Sequence, residues 1–430
     1  MNTTHATPTV ERSPAPEGAA AVPANSARSH GETPPLIICT STQYWHEAWF
    51  RKQHFMSRLA SRYPVLYVEP SFSILRKPPR RCPAGHENHP YRPRIQRQGD
   101  RLWTLTPPRG LPLWTHPSVS RVQYRMWGTL LRRAARRLGH TRTWLWLYNP
   151  LYVQTRASLR PERIIFDLVD DLEAYETRAH SRPTIRACVE ESLLQADLVF
   201  TTSTLLAEKY AARTGAGAMH VVPNGVRGGW IERAPVIPED LRELPRPWIG
   251  FMGAVFCYLD FDLLVAAARD FRHGTLVMVG PIEDQAGAAR LAAEPNVALL
   301  GARDQERVPD YVGSFDVCLS PFKAGAVRRA VNPLKIYEYL AAGKPVVSTP
   351  LESITGEPIA RWIRFAEGEE AFVGAIRNAL ASHSNPELAA ARREAVRPYA
   401  WEALGARVAE ILEASAARWA GQPAPSGRRS

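Results

Sequence analysis

Along most of this chain, short apolar runs alternate with stretches whose apolar positions recur at helical spacing. Leu36-Ile37-Ile38-Cys39-Thr40, bounded by Pro35 and polar residues, predicts a first buried strand. Trp49, Gln53, Met56 and Ala60 then repeat with a helical period, and Val65-Leu66-Tyr67-Val68 follows Pro64 as a second strand. Strand, helix and strand within about thirty residues is a βαβ unit, hence a parallel sheet. The alternation continues through Leu102–Leu105, Trp144–Leu147, Ile164–Val169, the Ala196–Ser203 strand with its Ser203 N-cap, and His220–Val222. Between these, Val122, Met126, Leu130, Ala134 and Leu138 mark an amphipathic helix whose other face carries Arg125, Arg132, Arg133, Arg136 and Arg137.

A second alternation begins at Trp248–Gly253, a strand entering a glycine turn, and runs through Leu276–Pro281, Asn296–Gly301 and Phe315–Phe322. It leads into Asn332-Pro333-Leu334-Lys335-Ile336-Tyr337-Glu338, which reads as an N-capped helix closed by Gly343 and Pro345 ahead of a Val346-Val347 strand. Tyr399-Ala400-Trp401-Glu402 opens a last helix that can run to Ala420. The expected fold is α/β, with two Rossmann-like, doubly wound domains facing across a cleft. Residues 35–227 form the first domain, 228–247 a linker, 248–398 the second domain and 399–420 the final helix, with disordered tails at 1–34 and 421–430.

Composition narrows the class. At 430 residues the chain accommodates two domains, and no apolar run approaches the roughly 18 residues a spanning helix needs. Met1–Pro35 lacks the apolar core of a signal peptide, so a cytoplasmic protein, peripheral on the inner face of the cell membrane, is expected. Five scattered cysteines form neither a zinc pattern nor a disulfide framework, and Cys39, Cys257 and Cys318 lie in or beside apolar runs, where burial is usual. The net charge of +12 concentrates between Ser73 and Arg142, where sixteen Arg and Lys face two acids, with Trp103, Trp114 and Trp127 interleaved. No nucleic-acid-binding signature accompanies this belt. An anionic membrane face or an anionic lipid-linked acceptor fits it, and a merely solvated basic surface remains open.

Three groups of residues carry candidate chemistry. Glu338 shares a helix face with Leu334, Ala341 and Ala342, where a carboxylate needs a partner. A surface Lys335–Glu338 pair is one explanation, and a ligand held at the adjoining helix amino end is the other. Asp170 and Asp171 end a buried strand, where open α/β sheets bind ligands. Either acid could deprotonate or orient a substrate hydroxyl, and loop capping is the alternative. Paired Asp also suits Mg²⁺.

The segment PLKIYEYLAAGKPVVS resembles the donor site of nucleotide-sugar glycosyltransferases with the GT-B architecture, in the family 1/family 4 group and its bacterial surface-polysaccharide branch. Trp49–His54 and Ile164–Asp171 are similar to further elements of that branch. The resemblance implies a hexosyl transferase, with retention, moving sugar from a nucleotide-sugar to a glycan or lipid-linked acceptor. It implies no metal and no cofactor, and the last helix would cross back to the first domain. Asn332, Pro333 and Leu334 would hold the donor diphosphate, Glu338 the ribose, and Gly253 and Gly301 the turns beside the donor. Arg51, Lys52 and His54 would face the acceptor, with Asp170, Asp171 and Lys335 catalytic. Two departures stand out. The Arg and Lys that usually follow the glycine turn are replaced by Ala254-Val255-Phe256-Cys257-Tyr258, leaving Lys335, Arg328 and Arg329 as countercharge, and the usual first glutamate is Ala330. A nucleotide-sugar epimerase or a non-catalytic scaffold of the same fold are the alternatives.

Overall fold

The computed structural model describes residues 33–75, 92–112, 116–175, 181–215 and 219–420. Nearly all of the expected tails, together with Cys82 and Trp114, lie outside them. Among the described residues, eight strands form the first sheet. They are β1 Leu36–Thr40, β2 Val65–Val68, β3 Arg94–Gly99, β4 Leu102–Thr106, β5 Thr143–Leu147, β6 Arg163–Leu168, β7 Leu198–Thr201 and β8 Met219–Val221. Their order is β3-β4-β2-β1-β5-β6-β7-β8, parallel throughout except for β3 against β4. The second sheet comprises β9 Trp248–Met252, β10 Thr275–Val279, β11 Val297–Gly301, β12 Val317–Ser320, β13 Val346–Ser348 and β14 Ile363–Phe365. It is wholly parallel, in the order β11-β10-β9-β12-β13-β14.

Each sheet has one point where the winding reverses. In the first sheet the chain returns to place β5 beside β1, and in the second it returns to place β12 beside β9. The loops leaving such neighbouring strands diverge to opposite faces and open a crevice at the carboxyl edge, which is where open α/β sheets take ligands.

Helix α1 (Arg51–Leu59) packs between the first sheet and the C-terminal helix (Trp401–Trp419). Phe55, Met56 and Leu59 share one buried cluster with Trp401, Leu404, Val408 and Leu412. Backbone bonds from Val226 to Tyr399 and from Trp401 to Val226 anchor the start of that helix, and Trp401 stacks on His54 with centroids 4.9 Å apart. The last helix therefore leaves the second sheet and is buried against the first.

Arg51 is fully enclosed. Its Nε donates to both carboxylate oxygens of Asp167 at 3.1 and 2.9 Å, and its Nη1 to the carbonyls of Val222 and Pro223 at 2.7 and 3.0 Å. The guanidinium thus joins α1 to the ends of β6 and β8. Replacing Arg51 by methionine leaves Asp167 charged and buried without its partner, and we expect a loss of about 3–5 kcal/mol in unfolding free energy. A urea titration checks this; an unchanged midpoint would show that the pair contributes nothing net.

Helix α2 (Pro117–Arg137) differs from the expected ridge. Ser120, Tyr124, Trp127, Leu131 and Ala134 face inward, while Val122 and Met126 are exposed. Gly128 sets this rotation: a Cβ there would lie 2.1 Å from Ser158 Oγ and 2.6 Å from the Thr155 carbonyl, so α2 crosses the 150–159 segment with no room for a side chain at that point. Cys257 is exposed rather than buried, because it lies in the loop beyond β9 and not within a strand. No helix among the described residues is long and apolar enough to cross a membrane.

Candidate active site

At the switch point of the second sheet, β9 ends in Gly253, whose φ of +134° suits glycine, and β12 ends in Ser320-Pro321-Phe322. Between them sits a cavity of about 380 Å³ lined by Ala254, Phe256, Tyr258, Leu259, Phe322, Val327 and Lys335. Lys335 comes from the second position of the Leu334–Ala341 helix. Its ammonium lies 3.9 Å from the ring centre of Phe251 and 5.4 Å from that of Phe322. Burial lowers its pKa to about 7, partly opposed by Glu338. Among the described residues no carboxylate forms an ion pair with it, so the surface Lys335–Glu338 bridge is not made.

The Leu334 helix ends as its sequence requires. Gly343 adopts φ +74°, its N–H bonds the Leu340 carbonyl at 2.9 Å, and the Lys344 N–H bonds that of Tyr339 at 3.0 Å, a Schellman closure. Its start differs from expectation. The N-cap is Pro333, no side chain caps the first turn, and no acid stands there, so the positive amino end is free for an anion. Asn332, expected as the cap, bridges the lobes instead. Its Nδ2 donates to the Thr202 carbonyl, its Oδ1 accepts from Tyr337, and its carbonyl accepts from Asn224 Nδ2 at 2.8 Å. These bonds bring the carboxyl ends of β7 and β8 against the amino end of the Leu334 helix, so the two crevices open toward one cleft.

Glu338, one turn further along, is partly exposed. Burial raises its carboxyl to about 7 against the fields of Arg227 and Lys335. Arg227 is itself fixed by Glu306 at 2.9 Å, on the segment that follows Gly301. Gly301 adopts φ +71° with open space where a Cβ would be.

The first sheet's switch point holds a second lysine. Lys52 Nζ donates to Thr42 Oγ1 and to Gln43 Oε1, and lies 5.7 Å from the Tyr148 ring centre. Burial lowers its pKa to about 8, opposed first by Asp170. Asp170 leaves the carboxyl edge of β6, and burial raises its carboxyl to about 6, against the pull of Lys52 and Arg51. It has no hydrogen bond or ion pair among the described residues. Asp171 points elsewhere: Lys209 Nζ and the Tyr210 hydroxyl both donate to it.

The structure therefore sorts the expected residues. Lys335 lines the second sheet's crevice beside Gly253, with the Pro333-Leu334 helix start and Glu338 on the same helix, and Lys52 and Asp170 lie at the first sheet's switch point. Arg51 and His54 do not line the cleft, since Asp167 encloses the first and Trp401 covers the second. Burial, with Arg58 and Arg227 nearby, holds the His54 imidazole down to about 2. Asp171 is consumed by its two donors. Arg328 pairs with Glu367 at 2.8 Å, and Ala330 is buried. Thr42, Gln43, Tyr148, Phe251 and Arg227 were not anticipated. Phe251 lies within β9, and the only sequence signal of the other four is position just beyond an apolar run. Among the described residues no group of three or more His, Cys, Asp or Glu is placed to hold a metal ion.

Residues 246–382 match the family described as Glycosyl transferases group 1. A protein of Bacillus subtilis (strain 168), described as a candidate teichuronic acid biosynthesis glycosyltransferase, TuaH, is 29% identical over 231 residues. That match takes in 52% of this chain and 58% of the relative's length. Among solved structures, sucrose-phosphate synthase from Thermosynechococcus elongatus superposes with a TM-score of 0.61 at 17% identity, over 89% of this chain and all of that one. HepE from Anabaena in complex with UDP superposes with 0.59 at 14% identity, over 88% of this chain and 100% of its own. The fold is GT-B.

Proposed function

We propose that the chain transfers a hexosyl unit from a nucleoside-diphosphate sugar to a hydroxyl of a glycan or lipid-linked acceptor, at the cytoplasmic face of the membrane, in the synthesis of a surface polysaccharide. The observation that carries this reading is the pairing of two crevices on one cleft. Among the described residues, one presents an uncapped helix amino end and a lysine without a carboxylate partner, and the other a carboxylate without a donor. In the step, the acceptor oxygen bonds to the anomeric carbon as the bond from that carbon to the diphosphate breaks. The hydroxyl proton passes to Asp170, and the charge growing on the diphosphate meets Lys335 and the helix end. Glu338 accepts hydrogen bonds from the ribose, and Gly253 and Gly301 let the donor approach the backbone.

The teichuronic acid role described for the Bacillus relative supports the polysaccharide context, and the UDP held by HepE makes UDP the first nucleotide to try. Retention at the anomeric carbon, which the motif implies, requires the acceptor to attack from the face that the diphosphate leaves, whereas attack from the opposite face inverts. The anomeric NMR signal of the product distinguishes them. Thermal unfolding with UDP, GDP, TDP and CMP tests the site. A ligand at a hundred times its dissociation constant stabilises the folded state by about 2.7 kcal/mol. One nucleoside diphosphate is expected to raise the midpoint, and Glu338→Ala to remove that rise. No response to any nucleotide would sink the reading.

Donor affinity should peak close to pH 7. Above it, the free protein's Lys335 is increasingly neutral, and binding a diphosphate must take up a proton to restore the ammonium. Below it, Glu338 is increasingly protonated, and accepting from ribose hydroxyls must release that proton. Affinity for a nucleotide sugar, measured by calorimetry in buffers of different ionisation enthalpy, is expected to fall by up to about tenfold per pH unit on either side. A flat profile from pH 6 to 9 would exclude both groups from the donor site.

A further inference from the structure

We infer that the exposed face of α2, together with the loop ends at Leu75 and Leu111, docks on an anionic lipid surface. The helix carries Arg121, Arg125, Arg132, Arg133, Arg136 and Arg137 and no acid. Among the described residues none of the six forms an ion pair. Neighbouring arginines of the same lobe do, Arg142 with Glu162 and Arg156 with Glu191. The face thus presents uncompensated positive charge, to which an anionic surface is the complement.

Its first half is also apolar. Val122 is 55% exposed and Met126 63%, one turn apart beside Arg121 and Arg125. Leu111 lies next to them, its N–H bonded to Gln123 Oε1 at 2.6 Å. Gly110, just before it, bridges to Ser73 in the loop that follows β2 and carries Ile74 and Leu75, the latter 76% exposed. Half of the exposed large hydrophobic residues of the described chain gather in this one patch. Apolar side chains framed by arginines match the boundary between headgroups and acyl chains. They do not match a single-stranded nucleic acid, whose bases stack on exposed rings, since Tyr124 and Trp127 of α2 are buried. Nor do they match a duplex, which takes arginines at its phosphates but gains nothing from Val122 and Met126. The interleaved Trp127 therefore stacks on Tyr152 rather than reaching headgroups.

Position adds a second argument. Leu75 and Leu111 lie on the loops that leave the carboxyl ends of β2 and β4, the edge of the sheet that also carries Lys52, Tyr148 and Asp170. A membrane against this patch sets the acceptor crevice beside the lipid surface. The docking itself is independent of sugar transfer and rests on the proposed reaction only for a lipid-linked acceptor.

Co-sedimentation of the full chain with vesicles tests it, using equal parts phosphatidylglycerol and phosphatidylcholine against phosphatidylcholine alone. The chain is expected to follow the anionic vesicles, less so as salt rises. Each arginine near such a surface is worth about fivefold in partitioning, so the triple variant Arg121→Gln, Arg125→Gln, Arg133→Gln should lower it about a hundredfold. Met126→Asp should also lower it with every arginine in place. All these positions are exposed, so unfolding midpoints and the nucleotide-induced shift should stay unchanged. A wild-type chain that stays in the supernatant when the anionic vesicles sediment overturns the inference. Binding indifferent to Met126→Asp and equalled by a DNA duplex overturns it in favour of nucleic acid.

Discussion

Lys335→Gln is expected to lower kcat by about 10²–10³ while leaving the protein folded. The ammonium lies over Phe251 and Phe322 in an apolar cavity, with no carboxylate in ion-pair contact, so the charge has little to stabilise it until an anion arrives. A departing diphosphate brings that anion, and its charge grows in the transition state, so the loss belongs in kcat more than in KM. The first positions after Gly253 make this lysine more important here, because Ala254 and Val255 offer no cation. Gly253→Ala gives an independent check. A Cβ there would lie 3.0 Å from Lys335 Nζ on a backbone at φ +134°, displacing the ammonium without removing it. Steady-state kinetics of both variants should show reduced kcat, and an unaltered kcat in Lys335→Gln would remove this residue from the chemistry.

The same charge logic joins the two crevices. Each switch point supplies a lysine whose pKa burial depresses, and each crevice adds a carboxyl that burial raises. Neither lysine is in an ion pair with its acid, so each crevice keeps a cation and an acid available to ligands. Where the chain needs ions only for structure, it pairs them closely, as in Arg51 with Asp167. The contrast separates a pair that ties α1 into the first sheet from the residues proposed to meet ligands.

Much of this architecture is legible in the sequence for a simple reason. Strands such as β1 and β2 are covered on both faces, so they read as continuous apolar runs and their limits match to the residue. β3, Arg-Ile-Gln-Arg-Gln-Gly, is a solvated edge strand with no apolar alternation, and nothing in its pattern announces it. The rotation of α2 escaped because Gln123 is buried as a bonding partner of Leu111 and Gly128 as a crossing point. Both roles depend on segments that the helix period does not encode. In the proposed site, Glu338 and the Asp170-Asp171 pair are marked by a helix face and a strand end, which do not say which acid is taken up by other donors, and Lys335 is marked by the family resemblance. Asn332 was not legible, since a residue fit to cap a helix is equally fit to bridge two lobes, and only the contacts with Thr202 and Asn224 decide. Lys52 meets Tyr148 across about a hundred residues of sequence, a meeting set by strand order, while Thr42 lies only ten residues before it.

Asp170→Asn should lower kcat by about 10²–10⁴ with nucleotide binding intact, the loss expected on removing a general base. The residue suits that role by elimination as well as by position, because Asp171 is held by Lys209 and Tyr210 and Asp167 by Arg51. Its carboxyl titrates near 6, so in the free enzyme the rate at low acceptor concentration should fall as pH drops through that value. Lys52 sharpens the test. Its field lowers the Asp170 pKa, so Lys52→Met should move the acid limb of the kcat/KM profile upward while leaving an active enzyme. A structural role for Lys52 would change stability or KM without moving that limb. Were Asp170→Asn to retain full kcat, the acceptor proton would have to leave by another route, with the diphosphate oxygen itself the nearest base.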